Sequence, residues 1–331
     1  MMEYLTAGES HGEYLTGILE GFPAGVRIPM EFVMEQLRRR RIATGRSARQ
    51  QKETDDVIIT GGWQDGITTG APVGILIHNA SRSVPKPSSF ARPCHADIGG
   101  MKKYGISDAS LIRERASARE TAARTALFAF PLFLGGELGI RISSEVYCLG
   151  GKHIKCSENE EIGKIINEAK KSGDTIGGRF RINIDGVPVG LGSYSQGKKR
   201  LFSIIAAELS AIPAIKSVSC GEDSLPDIYG SEMIKVPEIT GGIDGGISNG
   251  RKIIISCSVK PVPGTAKPYM SENPLTGETR ELSSLTSDIT ATFATAVIAE
   301  GAVAYSVLQT ILEKFGGNSF EELKQRISIV S

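Results

Sequence analysis

Two histidines carry the strongest hints of chemistry in this 331-residue chain. His11 sits in Ala7-Gly8-Glu9-Ser10-His11-Gly12, where Gly8 and Gly12 let the main chain approach a ligand. His95 sits in Arg92-Pro93-Cys94-His95-Ala96-Asp97, with a cation and a carboxylate close by in sequence. Imidazole moves protons readily near neutrality, so the pair reads as candidate acid–base groups. A lone loop histidine is usually structural, and His78 and His153, which lack such company, keep that reading.

Anion binding is the second signal. Six arginines fall between Arg38 and Arg49 (Arg40 and Arg46 among them), and four more stand at Arg113, Arg115, Arg119 and Arg124. Such short clusters, without interleaved aromatics, suit a small polyanion better than a long duplex. Arg115 and Arg119 are four apart, hence on one face of an expected Glu114–Phe130 helix. Ala116, Ala122, Ala123 and Ala126 keep that helix slim, leaving room for a planar carboxylate or phosphate. Arginines 38–41 read equally well as a solvated helix end. Lys260-Pro261-Val262-Pro263-Gly264-Thr265 could cradle an anionic tail, but alone it reads as a strand-ending turn.

The positioning elements follow from periodicity and punctuation. A short β-like start leads into the His11 loop, and a strand over Leu15–Leu19 ends at the turn Gly21–Gly25. After Pro29, the residues Met30, Val33, Met34 and Leu37 recur at helical spacing and run into the arginines. Val57–Thr60 and Pro72–Ile77 read as strands. The Pro- and Ser-rich segment Asn79–Gly100 reads as a functional loop. The Glu114 helix is expected to stop at Pro131. Beyond it, strands over 140–149, 179–184, 215–220 and 252–259 alternate with helices over 158–171 and 201–209. That order is mixed rather than regular βαβ and predicts an α+β layered fold with antiparallel sheet. Gly245–Gly250 precedes a strand instead of opening a helix, so a Rossmann reading fails on context.

Bulk properties narrow the classes further. A net charge of +1 gives no global field for nucleic acid or an acidic membrane. Five scattered cysteines show neither a disulfide framework nor metal-ligand spacing, so a reducing cytoplasm and no metal are expected. The start MMEYLTAGESHG has no leader pattern. Ala291–Leu312 is apolar but carries Glu300 at its middle. A charge at bilayer mid-depth costs about 2.5–3.5 kcal/mol, so a buried core helix is expected.

Three segments together resemble the chorismate synthase family. The first runs from Gly8–Gly12 to Glu20-Gly21-Phe22-Pro23-Ala24-Gly25. The second comprises Arg92–Asp97, Lys103-Tyr104-Gly105 and Glu114–Arg124, and the third Gly245–Gly250 with Lys260-Pro261. Gly173–Gly178 and Gly186–Gly192 fit between them, so the resemblance runs in order along nearly the whole chain. It implies one domain over 1–331, a β-α-β sandwich assembled as a homotetramer, with a deep basic site for reduced FMN. The implied reaction is 1,4-anti elimination of phosphate from 5-enolpyruvylshikimate 3-phosphate to give chorismate. It further implies that His11 protonates the leaving phosphate, His95 protonates the reduced flavin, and Asp288 helps deprotonation. Arg40, Arg46, Arg92 and Arg119, with Ser10, would face the substrate. Arg115, Ala116, Ser117, Gly245, Lys260, Pro261, Val262, Pro263 and Gly264 would contact flavin. No separate NADPH module is visible, so an external flavin reductant is expected.

Some positions depart from the pattern. Cys94 stands where the family usually has Gly, and Ser110 and Thr286 where it has Arg. Phe202 replaces a familiar Asp after Leu201, and Ser219–Ile234 fits poorly. Arg113 could lean in for the cation missing at 110. The departures leave two alternatives: a paralogous lyase acting on a related acid, or a non-catalytic flavin- or anion-binding relative.

Overall fold

The computed structural model describes residues 2–47, 53–80, 84–155, 159–222, 227–283 and 288–330; Thr286 and Cys156 lie outside them. Strands β1 (Glu3–Ala7) and β2 (Tyr14–Glu20) flank the His11 loop, and helix α1 (Met30–Ile42) carries Arg38–Arg41. Strand β3 (Val57–Gly61), the short hairpin β4 (Trp63–Gln64) and β5 (Ile67–Thr68), and β6 (Val73–His78) follow. The first sheet is antiparallel with order β1-β2-β6-β3. Its strands alternate: Leu15, Leu19, Val73, Ile75 and Ile77 are buried, whereas Leu5, Ile18 and Ile58 are exposed. One face therefore meets the interior, as period-2 patterning requires.

Helices α2 (Asp97–Tyr104), α3 (Ala109–Ala116) and α4 (Thr121–Glu137) come next. Here two expectations are corrected. The helix does not run unbroken from Glu114: Ser117 is extended (φ −64°, ψ 141°), and a 3-10 turn, Ala118–Glu120, leads into α4. The Ser117 hydroxyl accepts from the Arg119 N–H and meets Ser10 Oγ at 3.1 Å, so a side-chain cap replaces helical continuity. Arg115 and Arg119 consequently do not share a helix face. Nor does Pro131 end the helix, which passes through it to Glu137. Twelve residues of α4 are buried, and this packing outweighs a proline penalty of about 3 kcal/mol.

The second sheet has order β10-β13-β9-β7-β8, again antiparallel: β7 is Arg141–Leu149, β8 Lys152–His153, β9 Gly178–Asp185, β10 Ile215–Cys220 and β13 Ile253–Val259. Hairpins β11–β12 (Ile243–Asp244, Ile247–Ser248) and β14–β15 (Tyr269–Glu272, Thr279–Leu282) project from it in sequence. Helices α5 (Asn159–Lys171), α6 (Leu201–Ser210) and α7 (Gly230–Lys235) fall between its strands, and α8 (Thr292–Phe315) and α9 (Phe320–Val330) follow it.

Between the sheets lie α4 and α8. Helix α4 packs on β2 and β6, α8 packs on β7 and β9, the two helices pack on each other, and α1 and α6 flank them. The result is an α+β sandwich, sheet–helices–sheet, with a continuous core from Leu15 to Ile255. Close approach depends on missing side chains: a Cβ at Gly17 would fall 2.9 Å from Leu127 Cδ1, and one at Gly301 2.9 Å from Phe128 Cβ. The apolar segment that could have passed for a membrane span is α8 itself. Its most apolar window is 83% buried in this core, with Glu300 held by Arg39 and by the Ser144 N–H and hydroxyl.

Candidate active site

The loop between β1 and β2 is built to present His11. Gly8 takes φ +102°, and any Cβ there would stand 2.5 Å from the Tyr14 carbonyl oxygen. Asn79 donates to the carbonyls of Glu9 and Gly12, at 3.1 and 2.8 Å, and Arg115 donates to the carbonyls of Thr6 and Gly8. The end of α3 completes the seat. Its Glu114 carbonyl accepts from the Ser10 N–H at 3.0 Å, and its carboxylate accepts from the His11 N–H at 2.8 Å. Glu114 Oε1 stands 2.7 Å from His11 Nδ1.

His95 is seated by the same chemistry. Its Nδ1 lies 2.5 Å from Oδ1 of Asp97, a fully buried residue at the start of α2. The other Asp97 oxygen accepts from the Arg92 N–H at 2.7 Å and from Arg113 Nε at 2.6 Å. Burial works against the Asp97 carboxylate, but the hydrogen bonds from His95, Arg92 and Arg113 outweigh it and hold the group below the usual range. Arg113 is anchored to Asp97 and the Phe90 carbonyl, and both Arg113 and Ser110 line the cavity. Lys260 fastens this loop from across the site, donating to the Cys94 carbonyl at 2.6 Å. Burial, with the nearby Lys216 charge, draws the Lys260 ammonium below its ordinary value. Cys94 itself is at φ +57°, where glycine is the comfortable residue.

Both histidines line one cavity of about 600 Å³, ample for small-molecule ligands. Of the residues expected at the site, Ser10, Arg46, Arg92, Ala116, Ser117, Arg119, Lys260, Pro261, Val262, Pro263 and Asp288 line it with them. Asp288 is held by Arg46 Nη1 at 2.7 Å and by the Ser47 N–H at 2.9 Å. Arg46 Nε is buried and has no hydrogen-bond partner among the described residues. Arg119 lines the wall but is engaged behind it, bonding Asp55 and Asn79 Oδ1, with Glu53 3.6 Å away.

Four expected contacts are not among the lining residues. Arg40 is fully buried behind the wall on Thr121 Oγ1 and the Ala118 carbonyl, and burial together with the Arg46 charge draws it down to about 9, still a cation at neutrality. Arg115 braces the His11 loop from outside, Gly245 sits in the β11–β12 turn bonded to Arg200, and Gly264 lies just past the lining prolines. Sequence reasoning gave no role to Glu114, Lys86, Glu53, or the apolar wall of Ile212, Ala294 and Ile298, all of which line the cavity. Glu114 alone had a signal, since it falls inside the motif of the second segment.

The geometry has parallels in known proteins. The family model for chorismate synthase matches residues 2–312. A chorismate synthase of Caldanaerobacter subterraneus subsp. tengcongensis is 40% identical, the alignment covering 98% of this chain and 97% of that protein. One from Bifidobacterium animalis subsp. lactis is 35% identical over 99% of this chain and 97% of its own length. A crystal structure of chorismate synthase superposes with a TM-score of 0.80 at 30% identity, covering 99% of this chain and 97% of that one.

Proposed function

Because the chain belongs to the chorismate synthase family, we propose that it eliminates phosphate from 5-enolpyruvylshikimate 3-phosphate to give chorismate, with reduced FMN bound in the cavity. The observation that carries the reading is the convergence on one cavity of two carboxylate-held histidines and several cations. A phosphate and two carboxylates on a substrate call for such cations, and a departing phosphate calls for a proton donor.

The residues present fit the flavin. Pro261, Val262, Pro263, Ile212, Ala294 and Ile298 offer apolar surface for a planar ring, and Lys260, Arg46 and Lys86 offer charge for its phosphate or for the substrate. Held there by these residues, reduced FMN would supply transient electron density to the substrate. His11 delivers a proton to the leaving phosphate from Nε2, the nitrogen not engaged by Glu114. His95, seated on Asp97 through Nδ1, keeps its other nitrogen to hold or move a proton, which would serve the reduced flavin when bound. Asp288, fixed by Arg46 and Ser47, helps remove the substrate proton. Arg46 and Arg92 hold the substrate's anionic groups.

We expect electrons for the flavin to come from an external reductant. We expect a cytoplasmic homotetramer, with the exposed Leu5, Ile18 and Ile58 on the outer face of the first sheet supporting association of copies. Light scattering of the flavin-loaded protein gives the assembly directly.

The decisive assay is anaerobic turnover of 5-enolpyruvylshikimate 3-phosphate with photoreduced FMN, following phosphate and chorismate together. Turnover dependent on reduced flavin is expected, and His11→Ala or His95→Ala should lower kcat by about 10²- to 10⁴-fold. Absence of any turnover by flavin-loaded wild type would refute the reading.

A further inference from the structure

Both side-chain oxygens of Glu114 are committed to one residue. Oε1 stands 2.7 Å from His11 Nδ1, and Oε2 accepts from the His11 main-chain N–H at 2.8 Å. The side chain is only 7% exposed, and among the described residues it enters no other ion pair. Asp97 is different: beneath His95 it divides its carboxylate among the imidazole, the Arg92 N–H and the Arg113 guanidinium. Glu114 is also part of the α3 terminus whose carbonyl fixes Ser10, so one residue grips the Ser10–His11 pair from both main chain and side chain.

We propose that Glu114 is the positioning residue of His11, fixing its ring through Nδ1–H and leaving Nε2 as the nitrogen that serves the cavity. This rests on the reading of His11 as the proton donor to the leaving phosphate. A main-chain N–H can only donate, so Oε2 must remain an acceptor, and a carboxylate then offers a second acceptor to Nδ1–H. The neutral ring is thereby held as the Nδ1–H tautomer, and the protonated ring presents Nε2–H to the cavity.

An amide in place of the carboxylate separates positioning from bulk. In Glu114→Gln the single amide oxygen is claimed by the His11 N–H, which turns the NH₂ group toward Nδ1. Nδ1 must then accept, and the neutral ring changes to the Nε2–H tautomer at almost unchanged volume. The expected effect is a fall in kcat of about 10- to 10³-fold, with substrate KM and FMN affinity held within about threefold. In the double variant His11→Ala/Glu114→Gln, activity should be no lower than in His11→Ala alone.

Nitrogen-15 NMR of the histidine rings supplies a readout independent of turnover, with His11→Ala identifying the His11 signals. Wild type should show neutral His11 protonated at Nδ1, and Glu114→Gln should show it protonated at Nε2. A wild-type ring protonated at Nε2 with bare Nδ1 would overturn the proposal whether or not Glu114→Gln folds. So would a Glu114→Gln enzyme with wild-type kcat, or a double variant well below His11→Ala. If the tautomers behave as expected while wild type fails to turn over the phosphorylated acid, the reaction reading falls and the positioning role stands.

Discussion

Chemistry here is decided by which groups hold the reactive side chains still. His11 and His95 each rest on a carboxylate, yet neither carboxylate is adjacent to its histidine in the chain: Glu114 is 103 residues from one, Asp97 two from the other. The Asp97 arrangement has a consequence in acid. Its carboxyl is held below the ordinary value, so the unfolded chain takes up this proton first as pH falls. The stability it contributes is complete above roughly pH 4 and is lost as pH drops through the depressed folded value. Urea unfolding at a series of pH values should therefore show a shallower acid decline for Asp97→Asn than for wild type. Cys94 offers a second test. Its φ of +57° costs a residue with a Cβ about 1–2 kcal/mol, part of which glycine returns as unfolded-state entropy. Cys94→Gly should raise stability by about 0.5–1 kcal/mol, visible as a higher denaturation midpoint.

Elements set how near those groups come. Helices α4 and α8 approach closely because Gly301 faces Phe128, with no room for a methyl group. Gly301→Ala should cost about 1–3 kcal/mol from overpacking, despite the better helix propensity of alanine, and thermal unfolding will measure it. Most elements were legible in the sequence: the strands around Leu15–Leu19 and Ile253–Val259, the helix after Pro29, and α8 all follow from local period and composition. The break between α3 and α4 was not, because it depends on a Ser117 hydroxyl meeting Ser10 from another part of the chain. Pro131 misled for a related reason, since local propensity yields where a helix is buried almost all round. At the site, glycine and proline marked the two histidine loops. Glu114 carried only its place in the second motif, and the wall of Ile212, Ala294 and Ile298 carries no local mark; tertiary packing brings them to the cavity.

Across the whole molecule, one continuous cluster of buried side chains joins both sheets through the central helices. Urea unfolding followed by near- and far-ultraviolet circular dichroism should therefore give superimposable curves, and two separated transitions would show that the halves fold independently. The layering also has a bearing on biosynthesis. A chain made from its amino end presents the strands of both sheets, from Glu3–Ala7 to Ile253–Val259, before Thr292–Phe315 exists to lie between them. Until that segment emerges, β7 and β9 lack most of the cover on their inward face, and nascent polypeptides without it expose apolar surface. Closure of the sandwich therefore waits on this late segment rather than on the making of any strand.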